Sequence, residues 1–220
     1  SYGSSATSDD SSYDRFWDSV VEDTLTQAVF SAGNDGPTGT VSSPGVSYNG
    51  ICVANIKDKN DCIANDVWDS SSSIGPTPGF RGKPDIGAPG HKIDSANNKW
   101  EGLSANYVNK TGTSMAAPHV AGACLLLADY GVIAPRAQKA LLLNTADDIE
   151  GIGVWNKYYG FGALDLDHAW FHRDDVHTNY IYDETHDAAD RFRLYAGKMF
   201  NGDRATAVYH RQADYTGGYP

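Results

Sequence analysis

Residues 112–122 read Gly112-Thr113-Ser114-Met115-Ala116-Ala117-Pro118-His119-Val120-Ala121-Gly122, and this stretch decides the fold. After Ser114, the apolar residues Met115, Val120, Ala121, Cys124, Leu125 and Ala128 give the strongest helical pattern in the chain, and Gly131 supplies its stop. Ser114 therefore stands at a helix start, where backbone N–H groups have no intrahelical partner and the dipole favours negative charge. On position alone it reads as an N-cap, the ordinary reason for a serine there. The same N–H groups also suit the oxyanion that forms when a serine attacks a carbonyl. The pattern predicts small Ala116, Ala117 and Gly122 where the helix crosses a sheet, and Pro118 in the first turn, where a missing N–H costs little.

Working outward, Ala28–Ala32 is a short apolar run that ends in the turn signal Gly33-Asn34-Asp35-Gly36-Pro37. Residues 50–56 form a second strand candidate, and Asp85–Gly90 a strand running into a turn. Residues 14–27 carry Phe16, Trp17, Val20, Val21 and Leu25 at helical spacing, and a further helix is predicted from Pro135 to Leu143. Asp66–Pro78 reads as a Ser-rich loop. Short apolar strands alternating with helices predict an α/β fold with a parallel sheet. Beyond Trp170 the texture changes. Phe192, Leu194 and Ala196 alternate with polar residues, Asn201-Gly202 offers a hairpin turn, and Ala205, Ala207 and Tyr209 continue the alternation. Two units follow: residues 1–170, and 171–220 as the start of a β-rich extension.

The chain has 220 residues, with 17 Lys+Arg against 28 Asp+Glu, a formal net charge of -11. Such an acidic balance excludes a phosphate-backbone binder, and no apolar run reaches the roughly 18 residues of a membrane span. Three cysteines are too few for a disulfide scaffold. Cys52 and Cys62 flank a polar stretch that reads as a hairpin tip, which leaves open a disulfide or two separate thiols; Cys124 reads as a small buried hydrophobe.

The segment Gly112–Gly122 resembles the nucleophile segment of the subtilases, the subtilisin-like serine peptidases. Other segments agree in the family's order. Ser31-Ala32-Gly33-Asn34 looks like the strand ending in the oxyanion asparagine. Lys83-Pro84-Asp85 with Ala88-Pro89-Gly90 resembles the loop before the nucleophile, and Ser1-Tyr2-Gly3 the segment that pairs with substrate backbone. Tyr159–Asp165 resembles the closing turn and strand. The resemblance implies a subtilisin-like parallel sheet with flanking helices, incomplete in this chain, and acyl transfer on peptide bonds. It implies Ser114 as nucleophile and Asn34 as oxyanion donor, with Ser1, Tyr2, Gly3, Ser31, Ala32, Gly33 and Thr113 along the substrate. The implied setting is extracellular.

A serine nucleophile needs a general base and an orienting acid. The family's D-[ST]-G and H-G-T-H segments do not occur in this sequence. Their place in the family order is upstream of Ser1, so a complementing N-terminal segment carrying Asp and His is the expected partner, besides the polypeptide substrate. An incomplete sheet also leaves edges open for such a partner. His119 follows Ser114 by five positions, about 140° around the helix, and faces away from it. His91 is expected to face solvent. An α/β-hydrolase order using Asp147 and His168 fails on Ala116 at the last position of G-x-S-x-G and on the polar stretch 106–110. The reading from a different class is a pseudoprotease, a peptide-binding module that no longer turns over. No cofactor is required for the chemistry. A structural calcium ion is compatible with the family, and Asp147, Asp148 and Glu150 offer oxygen ligands, although they also read as a solvated acidic loop.

Overall fold

The computed structural model describes residues 3–6, 8–9, 11–59, 66–98, 106–151, 153–176 and 204–208. The first helix, α1 (Ser12–Thr24), starts at Ser11, whose hydroxyl accepts from Asp14 N at 3.1 Å, and ends at Leu25 in a left-handed conformation. Asp18 is fully buried beneath it and accepts from the N–H groups of Tyr48 (3.1 Å) and Asn49 (2.7 Å), so its charge is met by backbone donors. Trp17 sets its ring edge-on against Phe30, 5.3 Å between centroids, and ties α1 to the sheet.

The sheet is mixed, with a parallel centre. Strand β1 (Val29–Ser31) pairs in parallel with β2 (Ile51–Lys57), which pairs in parallel with β4 (Ile86–Pro89). Short β3 (Val67–Trp68), inside the predicted loop, runs antiparallel to the end of β2. A separate hairpin joins β5 (Ile93–Ala96) to β6 (Tyr107–Lys110). Residues of β2 are buried on both faces, as expected of a strand covered on two sides. On one face lies α2 (Thr113–Asp129). Its Ala116, Ala117, Val120, Ala123, Cys124 and Leu127 pack with Ile51, Val53, Ile86 and Ala88 into the main core, joined by Leu141 and Leu142 of α3 (Pro135–Asn144). The other face carries Ile56, Tyr159 and Ala163. The closing turn reaches the sheet as predicted: Gly87 N donates to Gly162 O and Leu164 N to Gly87 O, both at 2.8 Å. A last short helix, α4, spans Leu166–Phe171. No helix among the described residues is long and apolar enough to cross a membrane.

Three expectations need correction, and the open question of Cys52 is narrowed. Pro118 lies in the second turn of α2, because the helix begins at Thr113, so it removes the donor that would have bonded the Ser114 carbonyl. Gly122 does not thin the helix against the sheet; a Cβ added there meets no described atom within 4 Å. Cys52 is a free buried thiol, pushed up to about 12 by burial, and Cys62 lies outside the described residues. Residues 204–208 form no strand; Arg204 donates to Ala146 O (3.2 Å) and Thr206 to Asn144 (2.8 Å), docking this stretch at the end of α3. The rest of the predicted hairpin, from Phe192 to Gly202 and at Tyr209, is outside the described residues.

Beneath the sheet sits a buried charge cluster. Asp85 accepts from Lys83 Nζ at 2.5 Å and from Cys52 N at 2.7 Å, with Lys139 Nζ at 3.3 Å. Lys139 also donates to the carbonyls of Tyr48 (3.0 Å) and Gly50 (2.9 Å), so its ammonium is fully partnered. Burial acts to raise the Asp85 carboxyl, but the two lysines outweigh it and hold it below the usual carboxylate range. The amine of Lys139 is pushed down to about 8, burial outweighing the attraction of Asp85.

Candidate active site

Strands β1 and β4 and the start of α2 all meet at the carboxyl edge of the parallel sheet, the place where open α/β sheets bind ligands. The backbone leads from β1 through Ala32 and Gly33 to Asn34, and from β4 to Gly90. Gly112 stands between them at the N-terminus of α2. Its N–H donates to Gly90 O at 2.9 Å, and a Cβ on it would lie 3.3 Å from Asn34 Oδ1. Its φ of 154° and this close approach both favour glycine.

Thr113 locks the next turn. Its backbone N–H and its hydroxyl both lie within hydrogen-bond distance of Asn34 Oδ1, at 2.9 and 3.0 Å. The same hydroxyl reaches Gly33, 3.3 Å from its N and 3.2 Å from its O. An amide whose oxygen is engaged by a backbone donor has only one orientation left, with its NH₂ pointing elsewhere. Asn34 itself is exposed, Ser114 is half-buried, and Thr113 and Ala32 are fully buried. Ser114 Oγ makes no hydrogen bond among the described residues.

Of the other expected site residues, Gly3 is exposed and its backbone is unpaired among the described residues, while neighbouring Ser4 exchanges two hydrogen bonds with Ser43. Ser1 and Tyr2 lie outside the described residues. Ser31 and Gly33 are half-buried. Backbone groups of Ala32 and Gly33 are committed internally: Ala32 N to Val53 O, Ala32 O to Ser42 N, and Gly33 O to Ser73 N, all within 2.9 Å. This segment forms a wall rather than a pairing edge.

The described histidines are engaged elsewhere; His177, His186 and His210 lie outside the described residues. His119 turns back onto Met115 O at 2.9 Å, as its place on the helix requires. His91, expected to face solvent, is instead 2.7 Å from the Asp69 carboxylate and only 30% exposed. No local pattern signals this pair, because 22 positions separate the two residues. His168 meets His172 edge-on, 4.7 Å between ring centroids, and the His172 ring bonds Asp175 at 2.8 Å. In the acidic group at Asp147, Asp148 and Glu150, Arg204 approaches the Asp148 carboxylate at 3.4 Å and Glu150 accepts from Asn156 at 3.1 Å. Among the described residues, no three His, Cys, Asp or Glu side chains converge as metal ligands.

The Subtilase family profile matches residues 1–162. The chain belongs to the subtilase family. This subtilase is 34% identical over 176 residues to the serine protease AprX of Bacillus subtilis strain 168, covering 70% of this chain and 39% of that protein. It is 36% identical over 127 residues to thermitase of Thermoactinomyces vulgaris, covering 58% of this chain and again 39% of the relative. Among solved structures, it resembles fervidolysin from Fervidobacterium pennivorans, a keratinolytic enzyme related to subtilisin, with 28% identity and a TM-score of 0.55 over 70% of this chain and 23% of that one. A likeness to the self-cleaved protease domain of PatA (21% identity, TM-score 0.57) speaks for the fold alone. The subtilase chain thus spans about two fifths of the length of the two proteases it matches.

Proposed function

We propose that this subtilase chain carries the nucleophile and oxyanion site of a serine endopeptidase. Ser114 Oγ attacks the scissile peptide carbonyl, the C–O bond forms, and the carbonyl oxygen becomes an oxyanion. The Ser114 N–H, at the open end of α2, and the Asn34 side-chain NH₂ receive that charge. The carrying observation is the fixed amide of Asn34: with its Oδ1 held by Thr113 N at 2.9 Å, its NH₂ is free to donate. The oxyanion then collapses, the amine leaves, and water releases the acyl-enzyme.

The proton of Ser114 Oγ goes to a histidine, oriented by an aspartate, that the described residues do not supply: His119 and His91 are both turned onto other partners. A segment outside the chain contributes both, in the family's order. Gly3, exposed and with free backbone groups, pairs with the substrate strand together with Ser1 and Tyr2, and Ser31–Gly33 wall the pocket beside it. Two relatives are named as extracellular proteases, from Serratia marcescens and Xanthomonas campestris, which supports an extracellular setting.

The test is turnover of an unstructured polypeptide by the full-length protein. Cleavage abolished by Ser114→Ala and reduced, with KM little changed, by Asn34→Leu supports the assignment. Undiminished cleavage by Ser114→Ala refutes it. Peptide binding without cleavage by the full-length protein would favour the pseudoprotease reading.

A further inference from the structure

The carboxyl edge of the sheet is closed by a circuit of hydrogen bonds. Thr113 holds Asn34, and the next residue, Asp35, donates its N–H to Ser73 Oγ at 3.1 Å. Gly36 N donates to Ser71 O at 3.2 Å. The Ser71 N–H and hydroxyl donate to Asp69 Oδ1 at 2.9 and 2.6 Å. Asp69 Oδ2 receives His91, and Gly90 beside it accepts from Gly112 at 2.9 Å, which returns the circuit to the start of α2. Asn34 and Gly90 thus border two flanks of Gly112, and His91 is the basic side chain of this rim.

Burial acts to raise the Asp69 carboxyl, but Ser71, His91 and Lys57 outweigh it and hold it ionised. An ionised Asp69 makes His91 Nδ1 the donor and leaves Nε2 outside that contact, on a side chain that is 30% exposed. Lys57 Nζ also approaches Asp69, at 3.8 Å, so two basic side chains share one buried carboxylate. The neighbouring Asn55 and Ser71 are uncharged.

We propose that His91, anchored by Asp69, is a specificity-determining residue that binds the carboxylate of an aspartate or glutamate in the polypeptide substrate, on the Gly90 flank of the groove. The inference rests on the reading of this edge as the polypeptide-binding groove. His91 takes no part in the chemistry at Ser114. It donates Nε2–H as an imidazolium to a carboxylate that Lys57 also attracts.

The experiment uses the full-length protein with Ser114→Ala, so that binding is read without turnover. A peptide is scanned with Glu against Gln at every position, and affinities are measured by calorimetry near pH 6. At one position Glu should bind about tenfold more tightly than Gln. Adding His91→Gln should bring the ratio to within about twofold and leave the Gln peptide unaffected, whereas His91→Arg should restore the preference. A Glu preference that survives His91→Gln, or no preference at any position, overturns the inference alone. Failure of the parent to bind any peptide overturns it together with the reading on which it rests.

Discussion

Replacing Asp85 with Asn keeps the shape of the side chain and removes the carboxylate that contacts both buried lysines. Lys83, Asp85 and Lys139 side chains are 3%, 7% and 8% exposed, so water cannot take over the lost charge. Lys139 then has two courses. It can stay charged beside Lys83 without its counter-ion, or it can lose its proton, which costs only about 1.4 kcal/mol at pH 7 because the folded amine is already pushed down to about 8. The 3–5 kcal/mol expected when one partner of a buried ion pair is removed therefore also counts the uncompensated charge of Lys83. For a chain of this size the melting temperature should fall by roughly 6–20 °C. The sign with pH follows from the lowered carboxyl of Asp85: its stabilisation is present above the unfolded value near 4 and is lost as pH falls through the folded value. Urea denaturation of the full-length protein and of Asp85→Asn should therefore show a gap at pH 7 that closes in acid. Lys139→Met combined with Asp85→Asn should recover part of the loss, because one unpaired charge is gone. A gap under about 1 kcal/mol at pH 7, or one that persists unchanged below pH 3, would refute the reasoning.

Three further outcomes concern the active edge, each read in steady-state kinetics of the full-length protein. Asn34→Leu should lower kcat by about 10²–10³, a figure carried over from subtilisin's own oxyanion asparagine, with little change in KM. Thr113→Val keeps the N–H that holds Asn34 but deletes the hydroxyl at 3.0 Å, so kcat should fall by about tenfold, the equivalent of one hydrogen bond. Gly90→Ala should reduce kcat more than Thr113→Val while stability is also lost, since its Cβ would stand 2.6 Å from Gly112 O and 2.5 Å from Asn55 Oδ1.

Features written in local pattern were legible before the structure. The apolar runs of β1 and β2, the helices α2 and α3, and the turn that delivers Asn34 are all set by neighbours in sequence, and the structure places them within a few residues. The family resemblance singled out Asn34 and Thr113, but not the hydrogen bonds that join them. Long-range polar partnerships were not legible. Lys139 sits in a helix where a lysine would ordinarily face water, and only the fold brings Asp85 and two strand-end carbonyls to it. The pairing of His91 with Asp69 depends on two loops meeting across the end of β2. Pro118 was misplaced because the helix begins before Ser114, at a residue whose side chain caps nothing and instead reaches sideways to Asn34. Gly122 was misread because small residues at helical spacing do not reveal which of them face the sheet.

The assignment of Ser114 as nucleophile is tested most directly by a serine-directed phosphonate and mass spectrometry of the full-length protein. The account predicts a single adduct on the peptide containing Ser114, absent in Ser114→Ala and formed much more slowly in Asn34→Leu. An adduct that persists in Ser114→Ala, or that maps to another serine, would contradict it.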